Sequence, residues 1–237
     1  GGGLIEMTDK EAGKFRYYRH DDSDSSSVIS DGLNCVFQDS QGQIWTAGAW
    51  GFSEFNKKTG EFINYSLPYV NNNPDWSINI SDIIEGPEGD LWMNSAEGFF
   101  RFDPAQKQLI HYVNDPDNDN SLSNNYINQI IIDQSGQIWV CTWSRGVCLI
   151  NPYSNAFKHI QKKPNLNSSL LDNFVTDMFA DSEDNFWIGT FGGGLNRTKI
   201  SHGEILESFE HFIFDVDDPN SISSDIITYI YEDRNNF

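Results

Sequence analysis

The sequence predicts an all-β fold, a β-propeller of four-stranded antiparallel blades. Three recurring features predict it. An acid, a tight turn, a large apolar residue and then Trp return as Asp39 to Trp45, Asp133 to Trp139 and Asp181 to Trp187. A further copy runs to Trp92, with Gly86 in place of the acid, and the Trp-to-Trp steps are 47, 47 and 48 residues. A fifth copy opens at Asp233 and reaches Phe237. A Gly follows each Trp by six or seven residues, at Gly51, Gly98, Gly146 and Gly194, and one step back falls on Gly3. Finally, Ser27, Ser121, Ser169 and Ser221 each stand 12 residues before the acid, with Pro74 in that place in the second full unit. A period of this length, filled with short strands and turn signals, is the pattern of propeller blades. Helical solenoids need apolar stripes at 3.6-residue spacing, and there are none.

Each unit justifies its strands in turn. The first is apolar-rich, as in Tyr126–Ile132 and Phe174–Ala180. The second carries the Trp, as in Gln137–Thr142. Between them an Asp-x-x-Gly phrase supplies the positive φ that a tight hairpin requires. The third follows the Gly, as in Gly146–Asn151, and the fourth is short and aromatic, as in Phe62–Tyr65 and Leu109–Tyr112. An Asp/Asn/Ser/Pro-rich connection such as Asn114–Asn120 leads to the next unit. The units start near residues 3, 51, 98, 146 and 194 of a single propeller segment over 1–237. The chain starts inside a third strand (Gly3–Glu6) and ends inside a second (Phe237). We therefore expect a stretch of about five blades from a larger ring.

Composition narrows the function. Aromatics are 14% of the 237 residues, which suits half-buried strands. With 35 acids against 15 bases the net charge is −20. Such a surface repels nucleic-acid phosphates and anionic lipid. No run of 18 apolar residues offers membrane insertion of this segment, and no signal peptide is present. Cys35, Cys141 and Cys148 make neither a disulfide framework nor a zinc spacing. Cys141 and Cys148 flank a short hairpin loop, as two buried thiols or as a cross-strand disulfide in an oxidising compartment.

Catalytic and metal signatures are missing. There is no Gly-x-Ser-x-Gly elbow, His-Glu-x-x-His or phosphate loop. The five His are scattered, four of them at blade edges or linkers, and none stands at ligand spacing from a Cys or acid. Asp39, Asp133, Asp181 and Asp233 are turn residues by position. Asp115 to Asn120 resembles the start of a calcium loop but lacks its central Gly, and Tyr126 replaces the twelfth-position Glu. We expect a solvated turn there, no cofactor, no metal and no catalytic residue in this segment.

Trp45, Trp92, Trp139 and Trp187 hold one repeat position and are read as core between blades. Trp50, Trp76 and Trp143 break the pattern. Trp50 and Trp143 fall between second and third strands, and Trp76 in the loop leading to a first strand. In a propeller these loops open on one face, around the central channel. Aromatic planes there suit the apolar face of a sugar ring, with Asn79, Asn94, Glu97, Asn125 and Arg145 nearby to read hydroxyls. The same Trp residues equally suit sealing loops or contacting another blade or subunit. Tyr126, Phe174 and Phe191 occupy matching loop positions, as do Gly32 and Ile226.

The repeat resembles the two-component regulator propeller family. The resemblance rests on Ser121-Leu122-Ser123-Asn124-Asn125 ahead of Asp133 to Trp139, and on Trp187-Ile188-Gly189-Thr190 followed by Gly193-Gly194-Leu195-Asn196-Arg197. Ala47 to Trp50 and Met93 to Ala96 depart from the Ile-Gly-Thr phrase. Such a resemblance implies the periplasmic sensor region of a Bacteroidetes hybrid two-component system, the ectodomain of an inner-membrane protein. It also implies seven-bladed rings and detection of oligosaccharides, with a histidine kinase elsewhere in the full-length protein. The implied partners are an oligosaccharide or other small ligand, neighbouring blades or domains of a longer chain, and a second copy in a homodimer. A protein–protein scaffold, or a propeller acting on carbohydrate as an enzyme, are the alternative readings.

Overall fold

The structure is a computed structural model that describes residues 1–67, 78–150, 156–201, 204–205 and 208–233. Its chain divides into two compact units, Gly1–Ile110 and His111–Phe237. Every described element is a strand or turn, and no helix long and apolar enough to cross a membrane is present among the described residues.

In the first unit a hairpin pairs β1 (Leu4–Asp9) with β2 (Lys14–Tyr18). A four-stranded antiparallel sheet follows, with β3 (Leu33–Gln38), β4 (Ile44–Gly48), β5 (Gly51–Asn56) and β6 (Glu61–Ser66) in chain order. The next sheet holds β7 (Ile80–Glu85), β8 (Leu91–Ser95), β9 (Gly98–Asp103) and β10 (Gln108–Tyr112), the last running across the boundary between Ile110 and His111. In the second unit β11 (Ile127–Ile132), β12 (Ile138–Thr142), β13 (Val147–Ile150) and β14 (Phe157–Ile160) form one sheet. The last sheet has β15 (Val175–Ala180), β16 (Asn185–Thr190) and β17 (Leu195–Ser201), with β18 (Glu204–Ile205) and β19 (Glu210–Phe212) both pairing with β17.

Each recurring residue has a physical task. The acid before the hairpin turn binds the indole of the Trp that follows. Trp45, Trp139 and Trp187 donate Nε1–H to Oδ2 of Asp39, Asp133 and Asp181 at 2.9, 2.9 and 2.8 Å. In the copy that lacks the acid, a Cβ on Gly86 would stand 2.2 Å from Asp90 Oδ1 and 2.6 Å from Trp92 Nε1. Asp90 Oδ1, four residues on, fills the space beside Gly86, and its Oδ2 accepts from Arg101 Nε at 2.6 Å. Gly42, Gly89 and Gly136 give the hairpin turn φ values of 82°, 79° and 81°, and Asp184 holds the same position at 62°. Replacing Asp184 by Gly is expected to stabilise the chain by about 1 kcal/mol in denaturant unfolding, because only Gly takes a left-handed conformation without strain.

The recurring Ser ties down the connection between blades. Ser27, Ser121, Ser169 and Ser221 accept from the backbone N–H six residues earlier at 2.9–3.0 Å. The Asp and Asn of these loops are used in Asx turns. Asp115 Oδ1 accepts from Asp117 N and Asn118 Oδ1 from Asn120 N, both at 3.0 Å. Among the described residues no three His, Cys, Asp or Glu are arranged to hold a metal ion.

Blades join through a bulge in their first strands. Register shifts recur at Leu33/Cys35, Ile80/Asp82, Ile127/Gln129 and Val175/Asp177. The bulged residue reaches the next first strand. Asn34 Nδ2 donates to Ile80 O at 2.7 Å, Asn128 Nδ2 to Val175 O at 2.9 Å and Thr176 Oγ1 to Ile227 O at 2.6 Å. Buried side chains fill the space between sheets. Trp45, Phe52, Met93, Phe100 and Phe102 cluster in the first unit, and Trp139, Leu149, Met178, Phe186 and Ile188 in the second.

Cys141 pairs with Val147 and Cys148 with Val140, so the two thiols lie on neighbouring rungs and point to opposite faces of the sheet. Both are free and buried, and the cross-strand disulfide is ruled out by this register. Burial pushes the Cys148 thiol up to about 11 and raises that of Cys141 as well.

Candidate functional site

The second unit brings four of the sequence-derived candidates into one aromatic ladder. Tyr126 and Trp143 meet edge to face with centroids 5.6 Å apart. Trp143 meets Phe174 at 4.5 Å, again edge to face, and Phe174 meets Phe191 at 5.4 Å with ring planes inclined by 45°. Ile226 continues the row through a backbone bridge to Phe191. Tyr126, Trp143 and Phe191 remain 51%, 48% and 55% exposed, an unusual state for rings in mutual contact. Rows of this kind differ from scattered surface apolar residues, which need no explanation.

Backbone links set the ladder. Trp143 N donates to Tyr126 O at 3.0 Å, and Phe191 N to Phe174 O at 2.9 Å. In these two blades the loop after the second strand is thereby fastened to the residue that enters the first, as Ala49 N is to Gly32 O at 3.0 Å in the first unit. The residue two places upstream caps the entering one. Asn124 Oδ1 accepts from Tyr126 N at 2.8 Å, and Asp172 Oδ1 from Phe174 N at 2.7 Å. Ser30 and Ser224 do the same for Gly32 and Ile226, each at 3.0 Å. Sequence reasoning missed this positioning set. Its signal was present as Ser, Asn, Asp and Ser at one offset from the variable position.

The ladder is local to these repeats. Trp143 and Phe191 each stand four residues after the repeat Trp, where the first unit has Ala49 and Ala96. Tyr126 and Phe174 correspond to Gly32 and Asn79. Trp50 stands one position further on than Trp143 does in its unit, with a left-handed φ of 76° and 37% exposure. Its carbonyl accepts from Leu67 N at 3.0 Å.

Other candidates are placed as follows. In the first unit Asn79 is exposed, but its Oδ1 accepts from Asn34 Nδ2 at 2.8 Å. Glu97 is exposed at a β8–β9 turn, where Ser95 Oγ accepts its N–H at 3.0 Å. Asn94 is buried in β8. Asn125 belongs to the second unit, and its Oδ1 accepts from Asn114 N at 2.6 Å. Asp31, Asn173 and Asp225 make the same bond at 2.9, 2.7 and 2.7 Å, so Asn125 fills a structural repeat position. Trp76 lies outside the described residues.

Polar capacity beside the rings is unspent. Among the described residues no hydrogen bond or ion pair engages the Trp143 indole N–H, the Tyr126 hydroxyl or the Arg145 guanidinium. Arg145 is exposed two residues after Trp143, and its carbonyl is held by Gln161 Nε2 at 2.8 Å. The histidines are occupied elsewhere. His159 and His211 direct Nε2 to the carbonyls of Ser121 and Asn167 at 2.7 and 2.8 Å, bracing outer strands against connections.

Residues 121–144 and 169–192 match the family described as two-component regulator propeller. No curated protein matches the chain. Among solved structures, the chain is similar to the extracellular domain of a protein assigned as a hybrid two-component system from B. thetaiotaomicron. The TM-score is 0.68 at 22% identity, over 99% of this chain and 28% of that one. A second such extracellular domain from B. thetaiotaomicron gives 0.60 at 17% identity, over 99% and 36%. PorZ, a surface component of the type-IX secretion system of Porphyromonas gingivalis, gives 0.65 at 19% identity, over 98% and 34%. The chain thus spans about a third or less of the length of these proteins. At these identities the likeness establishes the fold, and the expected all-β propeller is what it finds.

Proposed function

We propose that this chain, which carries two-component regulator propeller repeats at 121–144 and 169–192, is the ligand-binding propeller of a bacterial sensor. It binds an oligosaccharide, performs no catalysis, and works outside the cytoplasm, in the periplasm, as part of a longer protein whose remaining domains carry the signal. The observation that carries this reading is the ladder from Tyr126 to Phe191. Its rings are half exposed, backbone-positioned, and accompanied by unspent donors. Sugars ask for that combination: an apolar ring face to stack on and hydroxyls to bond. The similarity to sensor extracellular domains supports the same reading.

Calorimetric titration of the chain with a panel of oligosaccharides from plant, host and microbial polysaccharides tests it. At least one is expected to bind, and Trp143→Ala is expected to weaken that binding by about tenfold, as covering roughly 50–100 Å² of an apolar sugar face at about 25 cal/mol per Å² supplies about 1–2.5 kcal/mol. The same substitution is expected to cost about 1–3 kcal/mol of unfolding free energy, since the ring is half exposed yet meets Tyr126 and Phe174, so binding is compared where both proteins stay folded. Absence of heat with every member, or tight binding indifferent to Trp143, would remove the reading.

A further inference from the structure

Arginine usage in this chain is informative. Acids outnumber bases by 35 to 15, so partners for a guanidinium are abundant. Five arginines lie among the described residues. Arg19 pairs with Asp31, Arg101 with Asp90 and Glu88, and Arg197 with Glu210, while Arg16 donates to the Tyr18 hydroxyl. Arg101 and Arg197 also lie over the rings of Trp92 and Trp187. Among the described residues Arg145 has neither an acidic nor a ring partner, and it stands in the β12–β13 loop that carries Trp143. Its backbone is fixed from two sides, by Gln161 Nε2 at 2.8 Å and Ser123 Oγ at 3.3 Å on its carbonyl. The loop is thus held while the side chain is left available.

A guanidinium is a planar fork that matches a carboxylate with two parallel N–H···O bonds. In the same loop Trp143, with Tyr126 bonded to its backbone, offers ring faces together with an indole N–H and a hydroxyl. We infer that the second-unit ladder takes an acidic oligosaccharide, with Arg145 holding a sugar carboxylate while Trp143 and its neighbours carry the apolar ring faces. This rests on the sugar-binding reading above and names its substrate class. The surrounding charge sharpens it. A protein of net charge −20 repels anions at long range. A carboxylate-bearing ligand therefore gains little from general attraction and depends on this one fork.

The test uses two matched pairs of probes, oligogalacturonate and oligoglucuronate, each against its methyl ester, which is the same chain without charge. Titration of the wild-type chain is expected to show the acid form of at least one pair binding about tenfold tighter than its ester, the size of a hydrogen-bonded charge contact. Arg145→Met keeps the apolar stem, removes the fork, and is expected to abolish that preference while ester binding stays within about twofold. Arg145→Lys retains charge without the fork and should recover only part of it. Esters binding as well as acids, or acid binding untouched by Arg145→Met, overturns the acidic-ligand inference and leaves sugar binding standing. If neither probe set nor the wider panel binds, the sugar-binding reading itself fails.

Discussion

Trp139→Ala is expected to lower the unfolding free energy by about 3–5 kcal/mol, the cost of deleting a fully buried large aromatic side chain. Trp139 has no exposure, its ring lies 4.4 Å from that of Phe186, and its N–H binds Asp133. Asp133 is itself buried, and its other oxygen accepts from Ser135 and Gln137. Alanine therefore opens a cavity and also strips a partner from a buried carboxylate. Trp139→Phe separates the two, since it keeps most of the ring and loses the N–H, and is expected to cost about 1–3 kcal/mol. Denaturant unfolding of the three proteins measures both differences. A loss below about 1 kcal/mol for Trp139→Ala would contradict the core assignment of the repeat Trp.

The second large effect is at the recurring Gly. Gly194 has a φ of 65°, and an added Cβ would stand 2.2 Å from Phe212 O in the outer strand. Its N–H donates to Asp225 O at 3.0 Å, so the backbone has no freedom to retreat without breaking a link to the next first strand. Gly194→Ala is expected to cost about 3 kcal/mol, the left-handed strain of about 1–2 kcal/mol plus the displacement of packed backbone. Gly13 is the control. Its φ is 62°, but nothing lies within 4 Å of its would-be Cβ, so Gly13→Ala should cost only about 1 kcal/mol. Equal losses at the two sites would show that close approach has no part in the Gly repeat.

The fold was legible because it repeats. One Trp, one Gly and one Ser return at fixed spacing, and in most of the blades that carry them they hold a bond or a close approach of the same kind. What the repeat hides is how a departure is accommodated. Gly86 reads as a lost acid, and only the folded turn shows that Asp90, from four residues on, fills the space beside it while binding Arg101. The bulge residues Asn34, Asn128 and Thr176 are chemically unlike in part, so their shared role in joining first strands left no pattern to find.

The site was legible to a lesser degree, and for the same reason. Departures from a strict repeat pointed to Trp143, Tyr126, Phe174 and Phe191, and the folded loops put them in contact. Asn125 looked equally suitable by its type and loop position. Its oxygen is used in holding the chain, as at Asp31, Asn173 and Asp225, and the recurrence of Asn or Asp there was the available sign. Arg145 could be recognised as unspent only after the partners of the other arginines were known.

The division between structural and ligand-facing tryptophans is the centre of this account. Fluorine NMR of the chain labelled with 5-fluorotryptophan, titrated with the tightest-binding oligosaccharide of the panel, tests it most directly. The Trp143 resonance, assigned through Trp143→Phe, is expected to shift on binding, while those of Trp45, Trp92, Trp139 and Trp187 stay in place. A Trp143 resonance that does not move while the sugar binds would contradict it.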